Sequence, residues 1–397
     1  MGMIATRAHP SPLSIDSLFH PICFLTTLTP RKTPPPSIHH RHRPYTAITA
    51  ATATPTEPRK EIVFLGTPEV AALVLKKLLD ASNLPDATFN VSAVVSQPGR
   101  PKGRSRHPTP TPVETLALQS GLAPDQILCP ERATDPVFLD TLAALAPDLC
   151  ITAAYGNYLP TTFLSIPRYG TLNIHPSLLP KYRGAAPVQR TLQDGVAVTG
   201  VSLLYTVKAM DAGPILAQQK VPVSPDIQAP ELLHQLFSLG TDLLLKNVEV
   251  VWAGMAETMV AQPQDESKAT HAPKISREEG LLDFNQPAIA CHNKVRAFVP
   301  WPGAYHTFRL MDGSGNDIGL LELKIVRTRV GSQSEGVGVA GGKRNVVMTT
   351  PKGEMKIVCG DGHVLELLEV QAPGRKVVAA KDFVNGLKGN VLTWGEG

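Results

Sequence analysis

From Glu61 onward, short apolar runs alternate with longer amphipathic stretches, and this alternation limits the fold more than any other feature of the chain. A run such as Glu61-Ile-Val-Phe-Leu65 is apolar on both faces, so it must be covered on both sides, as strands of a parallel sheet are by their crossover helices. The pattern predicts strands at Glu61–Leu65, Val91–Val95, Leu149–Ala153 and Thr171–Ile174, with helices at Pro68–Leu79 and Pro136–Ala146. A later strand pair follows at Gly200–Val207 and Ile215–Val221, then a closing helix at Pro230–Ala253. These elements make an open α/β domain over residues 57–260.

Residues 261–275 are polar, with Gln262-Pro-Gln-Asp-Glu-Ser-Lys268 and no apolar periodicity, and read as an interdomain linker. Beyond them a helix at Pro287–Ala297 precedes short β-rich runs at Tyr305–Leu310, Leu320–Arg329, Asn345–Thr349, Lys356–Cys359 and Val364–Val370. Short strands punctuated by turns suggest a small β-barrel over residues 276–397. No internal repeat is present.

Ahead of the first strand, residues 1–56 hold Arg7, Arg31, Lys32, Arg41 and Arg43 against the single acid Asp16, amid many Ser, Thr, Pro and His. This acid-poor, hydroxyl-rich composition is that of a transit peptide. A tail that stays attached without folding is the alternative, and the lack of a compact apolar segment argues against a secretory signal. The formal net charge of +4 resides wholly in this leader, because the remaining 33 bases and 33 acids cancel. Nucleic-acid contact must therefore come from local patches, and the part after residue 268, with 16 bases against 13 acids, is favoured. No run of eighteen apolar residues occurs, so a membrane-spanning helix is not expected. Cys23 lies in the leader, and Cys129, Cys150, Cys291 and Cys359 form no C-x-x-C pair, which argues against a disulfide framework and a structural zinc site. No histidine spacing suits a metal either.

The richest segment is Thr171-Leu-Asn-Ile-His-Pro-Ser-Leu-Leu-Pro-Lys-Tyr-Arg-Gly-Ala-Ala-Pro187. Side chains alternate faces along a strand, so Asn173 and His175 point the same way, with Ile174 buried opposite. An amide and an imidazole thus stand together at the carboxyl end of a strand, where open α/β sheets bind ligands. Pro176 and Pro180 brace the loop that follows. A carboxyl partner must come from elsewhere, and Asp211, in the turn-rich Met210-Asp-Ala-Gly-Pro214, is the candidate to orient the imidazole and stabilise its charged form. Taken singly, each residue has a structural alternative as a turn, cap or packed polar group.

These residues carry a family resemblance. Asn173-x-His175-x-Ser177-Leu-Leu-Pro180, continuing into Tyr182-Arg-Gly-Ala-Ala-Pro187 and answered by Asp211-x-Gly213, resembles the signature of the folate-dependent formyltransferases. The Arg-Gly-Ala-Ala-Pro form is similar to the branch that formylates methionyl-tRNA. The likeness takes in Phe64-Leu-Gly-Thr-Pro68, Ser96-Gln-Pro-Gly-Arg-Pro-Lys-Gly-Arg104, Lys274-Ile-Ser-Arg-Glu-Glu-Gly280 and Arg296-Ala-Phe-Val-Pro-Trp-Pro-Gly-Ala304, so it covers nearly everything after residue 60. It implies a Rossmann-like open parallel sheet followed by a small OB-like barrel. It also implies 10-formyltetrahydrofolate as cosubstrate, initiator methionyl-tRNA as partner, and no metal. The family's catalytic Asn, His and Asp fall on Asn173, His175 and Asp211, and its pterin-binding loop on Ser177, Leu178, Leu179 and Pro180. No covalent nucleophile is needed, and neither G-x-S-x-G nor a Cys with a neighbouring His is found in this domain.

Arg100, Lys102, Arg104 and Arg106 lie among Gly and Pro residues in a basic loop. The resemblance implies that it meets the tRNA acceptor stem, against the alternative of solvated surface charge. Lys294, Arg296, Lys343, Arg344, Lys352 and Lys356 are further candidates for an RNA-facing surface on the barrel. Gly336-Val-Gly-Val-Ala-Gly341 satisfies G-x-G-x-x-G, but without a strand before it or a helix after it the segment reads as a hairpin loop.

Other enzymes sharing the catalytic group are glycinamide ribonucleotide formyltransferases, sugar-nucleotide formyltransferases and formyltetrahydrofolate hydrolases. A barrel of over a hundred residues counts against the first, and the stop at Gly397 leaves no room for the extra modules of the others. A non-catalytic RNA-binding relative is disfavoured by the presence of all three catalytic residue types. The leader suggests a mitochondrion, with a plastid as the alternative, and the expected state is a monomer.

Overall fold

The computed structural model describes residues 58–101, 107–333, 346–350 and 352–395. The leader, Lys102, Arg104, Arg106, the Gly336–Gly341 loop, Lys343 and Arg344 lie outside the described residues.

Within β1 (Lys60–Gly66), Ile62, Val63, Phe64 and Leu65 are all fully buried and divide by parity between two cores. Ile62 and Phe64 pack with Val74, Leu75 and Leu78 of α1 (Glu69–Ser82), whose apolar residues recur at helical spacing. Val63 and Leu65 join the core on the opposite face of the sheet. Next come β2 (Phe89–Val95) and a two-rung hairpin of β3 (Arg100–Pro101) and β4 (Pro108–Thr109). Thr111 and Glu114 close a capping box over α2 (Pro112–Gln119), with Pro112 in its first turn. The short β5 (Ile127–Leu128) and α3 (Pro136–Leu145), capped by Asp135, lead to β6 (Leu149–Ala153), α4 (Thr161–Leu164) and β7 (Thr171–His175). They are followed by α5 (Pro187–Gln193), β8 (Val198–Tyr205), β9 (Ile215–Pro222) and the long α6 (Ala229–Trp252).

The sheet order is β5-β2-β1-β6-β7-β8-β9, parallel through β7 and antiparallel at the last two strands. The expected parallel sheet therefore ends in an antiparallel edge. α6 presses closely on the middle of this sheet. A Cβ added to Gly240 would lie 2.4 Å from Ile174 Cγ2, so only glycine lets the helix sit this close to β7. With Leu172 and Ile174 committed to the α6 side, Asn173 and His175 face the other way, as the alternation predicts.

The C-terminal half begins with α7 (Ala288–Phe298), then β10 (Ala304–Met311), β11 (Asp317–Gln333), β12 (Met348–Thr349), β13 (Met355–Val358) and β14 (His363–Gln371). It finishes with β15 (Val378–Ala379), α8 (Ala380–Gly386) and β16 (Val391–Thr393), none of which the sequence pattern had marked. The strands form one antiparallel sheet, β12-β13-β14-β11-β10-β16, with β15 added to β14. The sheet curls into a half-barrel around a core that includes Phe284, Phe308, Ile325, Leu367 and Trp394, and Val346, ahead of β12, bridges to Thr393 of β16.

The two halves share apolar packing: Val188 and Leu192 of α5, Leu232 and Leu236 of α6, and Ala297 and Phe298 of α7. Polar ties reinforce it. Buried His292 faces Thr328 Oγ1 at 2.9 Å and the Pro225 carbonyl at 3.0 Å, while Gln228 donates to the Val326 carbonyl at 2.7 Å. Arg296 belongs to this contact, donating to Asn293 Oδ1 and the Ser224 carbonyl. It is 5% exposed, which corrects its assignment to an RNA-facing surface. Lys356 is already paired with Glu354 and Glu366, and Lys352 is exposed.

Candidate active site

β7 delivers Asn173 and His175 to the carboxyl edge of the sheet, between parallel β6 and antiparallel β8. Next to Asn173 on β6 stands Thr152, 5% exposed, whose hydroxyl donates to Asn173 Oδ1 at 2.9 Å. This bond sets the orientation of the amide: the oxygen is held back against the sheet and the Nδ2 donors are turned outward. Thr152 was not singled out from the sequence, although a hydroxyl on the neighbouring strand, in register with Asn173, is a readable signal.

His175 is buried, and its two ring nitrogens have different neighbours. Nε2 lies 3.0 Å from the Tyr182 carbonyl, which can only accept, so Nε2 carries the proton and Nδ1 the lone pair. Tyr182 is itself pinned: its amide donates to Thr270 Oγ1 and its hydroxyl to Asp194 Oδ2, both at 2.9 Å. Nδ1 faces Asp211 Oδ2 at 3.8 Å, close enough for electrostatic interaction but beyond hydrogen-bonding distance.

The loop after β7 is closed by its own hydrogen bonds. Ser177, fully buried, donates through Oγ to the Lys181 carbonyl at 2.7 Å, and its carbonyl accepts from Ser202 Oγ at 2.7 Å. Ser202 Oγ also accepts from the Leu179 amide, and Gln218 donates to the Leu179 carbonyl at 2.8 Å. Leu179 is buried, whereas Leu178 and Pro180 remain half-exposed. The loop thus keeps its backbone hydrogen-bonded and leaves these two side chains partly exposed.

Asp211 lies in the turn between β8 and β9 with φ of 50°, in the left-handed region that an L residue rarely adopts. Its carboxylate accepts from the Gly184 amide at 2.8 Å. The segment 261–275 also reaches this point. Gln264 donates to the Asp211 and Gly213 carbonyls, both at 2.8 Å, and accepts from Arg183 Nε and Nη2 at 3.0 and 2.7 Å. Arg183, 6% exposed, forms a two-point ion pair with Glu266. Further along, the Arg183 amide donates to the Thr270 carbonyl, and the Ala272 amide donates back to Arg183. The expected linker is thus laid along the loop after β7 as a hydrogen-bonded strap.

Three of the sequence candidates, Asn173, His175 and Asp211, therefore meet at one edge of the sheet, with Ser177–Pro180 beside them. Arg100 is exposed on the hairpin that follows β2. Burial raises the Cys150 thiol well above the ordinary range and lifts Cys129 to about 11, so neither supplies a ready thiolate. Among the described residues no group of three or more His, Cys, Asp or Glu could hold a metal ion, and no helix is long and apolar enough to cross a membrane.

Residues 60–248 match the formyl transferase family and residues 274–388 match the formyl transferase C-terminal domain. The methionyl-tRNA formyltransferase of Roseiflexus castenholzii is 40% identical over 335 residues, covering 84% of this chain and 97% of that protein. Its counterpart in Nitrosococcus oceani is 39% identical over 324 residues, covering 82% and 92%. Among solved structures, the N-formyltransferase of Helicobacter canadensis, in complex with folinic acid and dTDP-3-aminofucose, shares the fold with a TM-score of 0.52 at 17% identity, covering 79% of this chain and all of that one. HypX from Aquifex aeolicus in complex with tetrahydrofolic acid gives a TM-score of 0.52 at 16% identity over 82% of this chain, which spans about half (47%) of the HypX chain. With the site geometry in place and relatives of this identity over nearly their whole length, the chain belongs to the methionyl-tRNA formyltransferase family of formyl transferases.

Proposed function

We propose that this chain transfers the formyl group of 10-formyltetrahydrofolate to the free amino group of methionyl-initiator tRNA, with Asn173, His175 and Asp211 as its catalytic group. The observation that carries the assignment is the oriented Asn173 amide beside a His175 whose Nδ1 faces the Asp211 carboxylate. As the amine adds to the formyl carbon, the formyl oxygen gathers negative charge. The outward Nδ2 of Asn173 is placed to donate to it, and a single donor of this kind is typically worth about 3 kcal/mol of barrier. The amine must also lose a proton. His175 Nδ1 has the lone pair to take it, and the carboxylate 3.8 Å away stabilises the charged ring that results. Breaking the bond from the formyl carbon to N10 of the folate, with return of a proton to N10, completes the transfer.

The flat pterin needs an apolar wall and a few polar groups beside it. Leu178 and Pro180 supply the wall, on a loop whose Ser177 carbonyl and Leu179 amide and carbonyl are held by Ser202 and Gln218. This fits the folate assignment for Ser177, Leu178, Leu179 and Pro180, with Ser177 and Leu179 holding the loop's shape. For the tRNA, the exposure of Arg100 on its hairpin supports a contact made by Arg100, Lys102, Arg104 and Arg106. Residues 1–59 precede the family match, and their acid-poor composition supports import into an organelle, with a mitochondrion preferred to a plastid.

A transfer assay with labelled 10-formyltetrahydrofolate, offering methionyl-initiator tRNA, glycinamide ribonucleotide and water as competing acceptors, tests the reading. Formylmethionyl-tRNA is expected from the unsubstituted chain and not from His175→Ala. Free formate without a tRNA product would instead point to a hydrolase.

A further inference from the structure

Gln264 lies outside the catalytic group, yet its amide is saturated by contacts that converge on Asp211. Both Nε2 hydrogens are used, on the Asp211 and Gly213 carbonyls. Both Oε1 lone pairs are used by Arg183 Nε and Nη2. A side-chain amide offers two donors and two acceptor sites, so no capacity is left over, and a flipped amide would set oxygen against two carbonyls and nitrogen against a guanidinium. The orientation is therefore unique.

The two carbonyls it holds bracket the turn in which Asp211 adopts its left-handed backbone. Gly213 packs so closely on β8 that no side chain fits there: a Cβ would lie 1.8 Å from the Tyr205 carbonyl oxygen. Arg183 is fixed in turn by Glu266, and the next residue, Gly184, donates its amide to the Asp211 carboxylate. The Arg183-Gly184 pair thus reaches Asp211 twice: through Gln264 to the backbone, and directly to the carboxylate.

We propose that Gln264, gripped by Arg183, is a positioning residue for Asp211, so that the segment joining the two halves of the chain sets the aim of the catalytic carboxylate on His175. This inference rests on the reading of Asp211 as a catalytic residue. Gln264→Glu is the discriminating substitution. A carboxylate at this position keeps the pairing with Arg183, and so keeps the strap attached, but it replaces the two donors to the Asp211 turn with oxygens that repel the carbonyls. A role limited to tying down the strap would survive it.

The experiment uses the purified chain, Gln264→Glu, Asp211→Asn and the double variant, with Gln264→Leu as a second probe should the glutamate fail to fold. Single-turnover formyl transfer is expected to fall by up to about 100-fold in Gln264→Glu, the scale of a roughly 1 Å misplacement of a reacting group. The donor's KM is expected to hold, and the substitution should cost nothing further once Asp211 is Asn. Independently of any acceptor, the ¹⁵N resonances of the His175 ring should move in Gln264→Glu in the direction they move in Asp211→Asn. Additive rate losses in the double variant, or His175 resonances unchanged by the Gln264 substitution, would overturn the proposal. Absence of transfer by the unsubstituted chain would defeat the formyl-transfer reading instead, and the ring resonances would still decide the role of Gln264.

Discussion

Replacing Thr152 with valine tests whether the Asn173 amide is oriented by its neighbour. The side chains are nearly the same size, and the site is buried on both sides by β1 and β7, so the change removes a hydroxyl and little else. The lost bond runs from Thr152 Oγ1 to Asn173 Oδ1 at 2.9 Å, with a weaker alternative to the Leu172 carbonyl at 3.4 Å. A neutral hydrogen bond of this kind has a net worth of about 1 kcal/mol, which holds the amide in its productive orientation by about five to one. Without it the two orientations approach equality, and the buried Oδ1 loses its partner. The productive fraction then falls from about five-sixths to about one-half, so the single-turnover rate should drop by about 2-fold, well short of the about 100- to 1,000-fold expected for Asn173→Ala, which removes the donor itself. Thr152→Ser, which restores the hydroxyl, should recover most of the loss, and Thr152→Val should cost nothing more when Asn173 is already Ala. An unchanged rate in Thr152→Val, or a loss as large as that of Asn173→Ala which serine fails to relieve, would refute the reasoning.

Other consequences follow from named contacts. His306 packs among Phe284, Phe308 and Trp394, and burial holds its pKa below the ordinary 6.5. The unfolded chain binds the proton more readily, so this contribution is complete above pH 6.5 and is lost as pH falls through the lowered folded value. His306→Phe should flatten the decline in melting midpoint between about pH 7.5 and about pH 5.5, and a slope identical to that of the unsubstituted chain would count against the assignment. Gly213→Ala places a methyl 1.8 Å from the Tyr205 carbonyl, so the Asp211 turn must break, and formyl transfer should disappear even where circular dichroism shows the fold retained. Arg100→Ala should raise the KM for tRNA and reduce its salt dependence by about one counterion, with the folate KM unaffected; equal changes in both KM values would exclude a tRNA contact.

Much of the architecture was legible because burial demands it. The apolar run Ile62–Leu65 of β1 requires covering on both faces, and the two-residue period of β7 separates Asn173 and His175 from Ile174. The elements that escaped include the helices α2, α5 and α8, of seven or eight residues each, and several very short strands. β5, β15 and β16 have two or three residues each, too few to establish a period, and they exist because a neighbouring strand offers them unpaired backbone groups. Arg296 was misjudged for a different reason. Its charge suggested an exposed surface, but it lies on the face of α7 that meets the N-terminal half, where the Ser224 carbonyl and Asn293 satisfy it.

Residues 261–275 show what hydrophobic periodicity is unable to detect. Their order comes from polar pairing with a loop about eighty residues earlier, so the polarity that suggested a free linker is the means by which the segment is held. A signal was nevertheless present. Arg183 lies between Pro180 and Pro187 in a segment otherwise rich in small and apolar residues, and a guanidinium drawn into such surroundings needs acceptors on several of its N–H groups. The first acid-rich stretch after the α/β domain is Gln262–Lys268, which supplies Gln264 and Glu266. Arg183 is drawn into the protein beside the catalytic turn because those acceptors are brought to it, and the segment that brings them runs on to Ile275, which packs with Ala297 and Phe298 of α7 in the core between the two halves. The strap that holds the Asp211 turn is thus continuous with the interface between the two halves, and a substitution that loosens the interface is expected to be felt at His175 before it is felt in the core of either half.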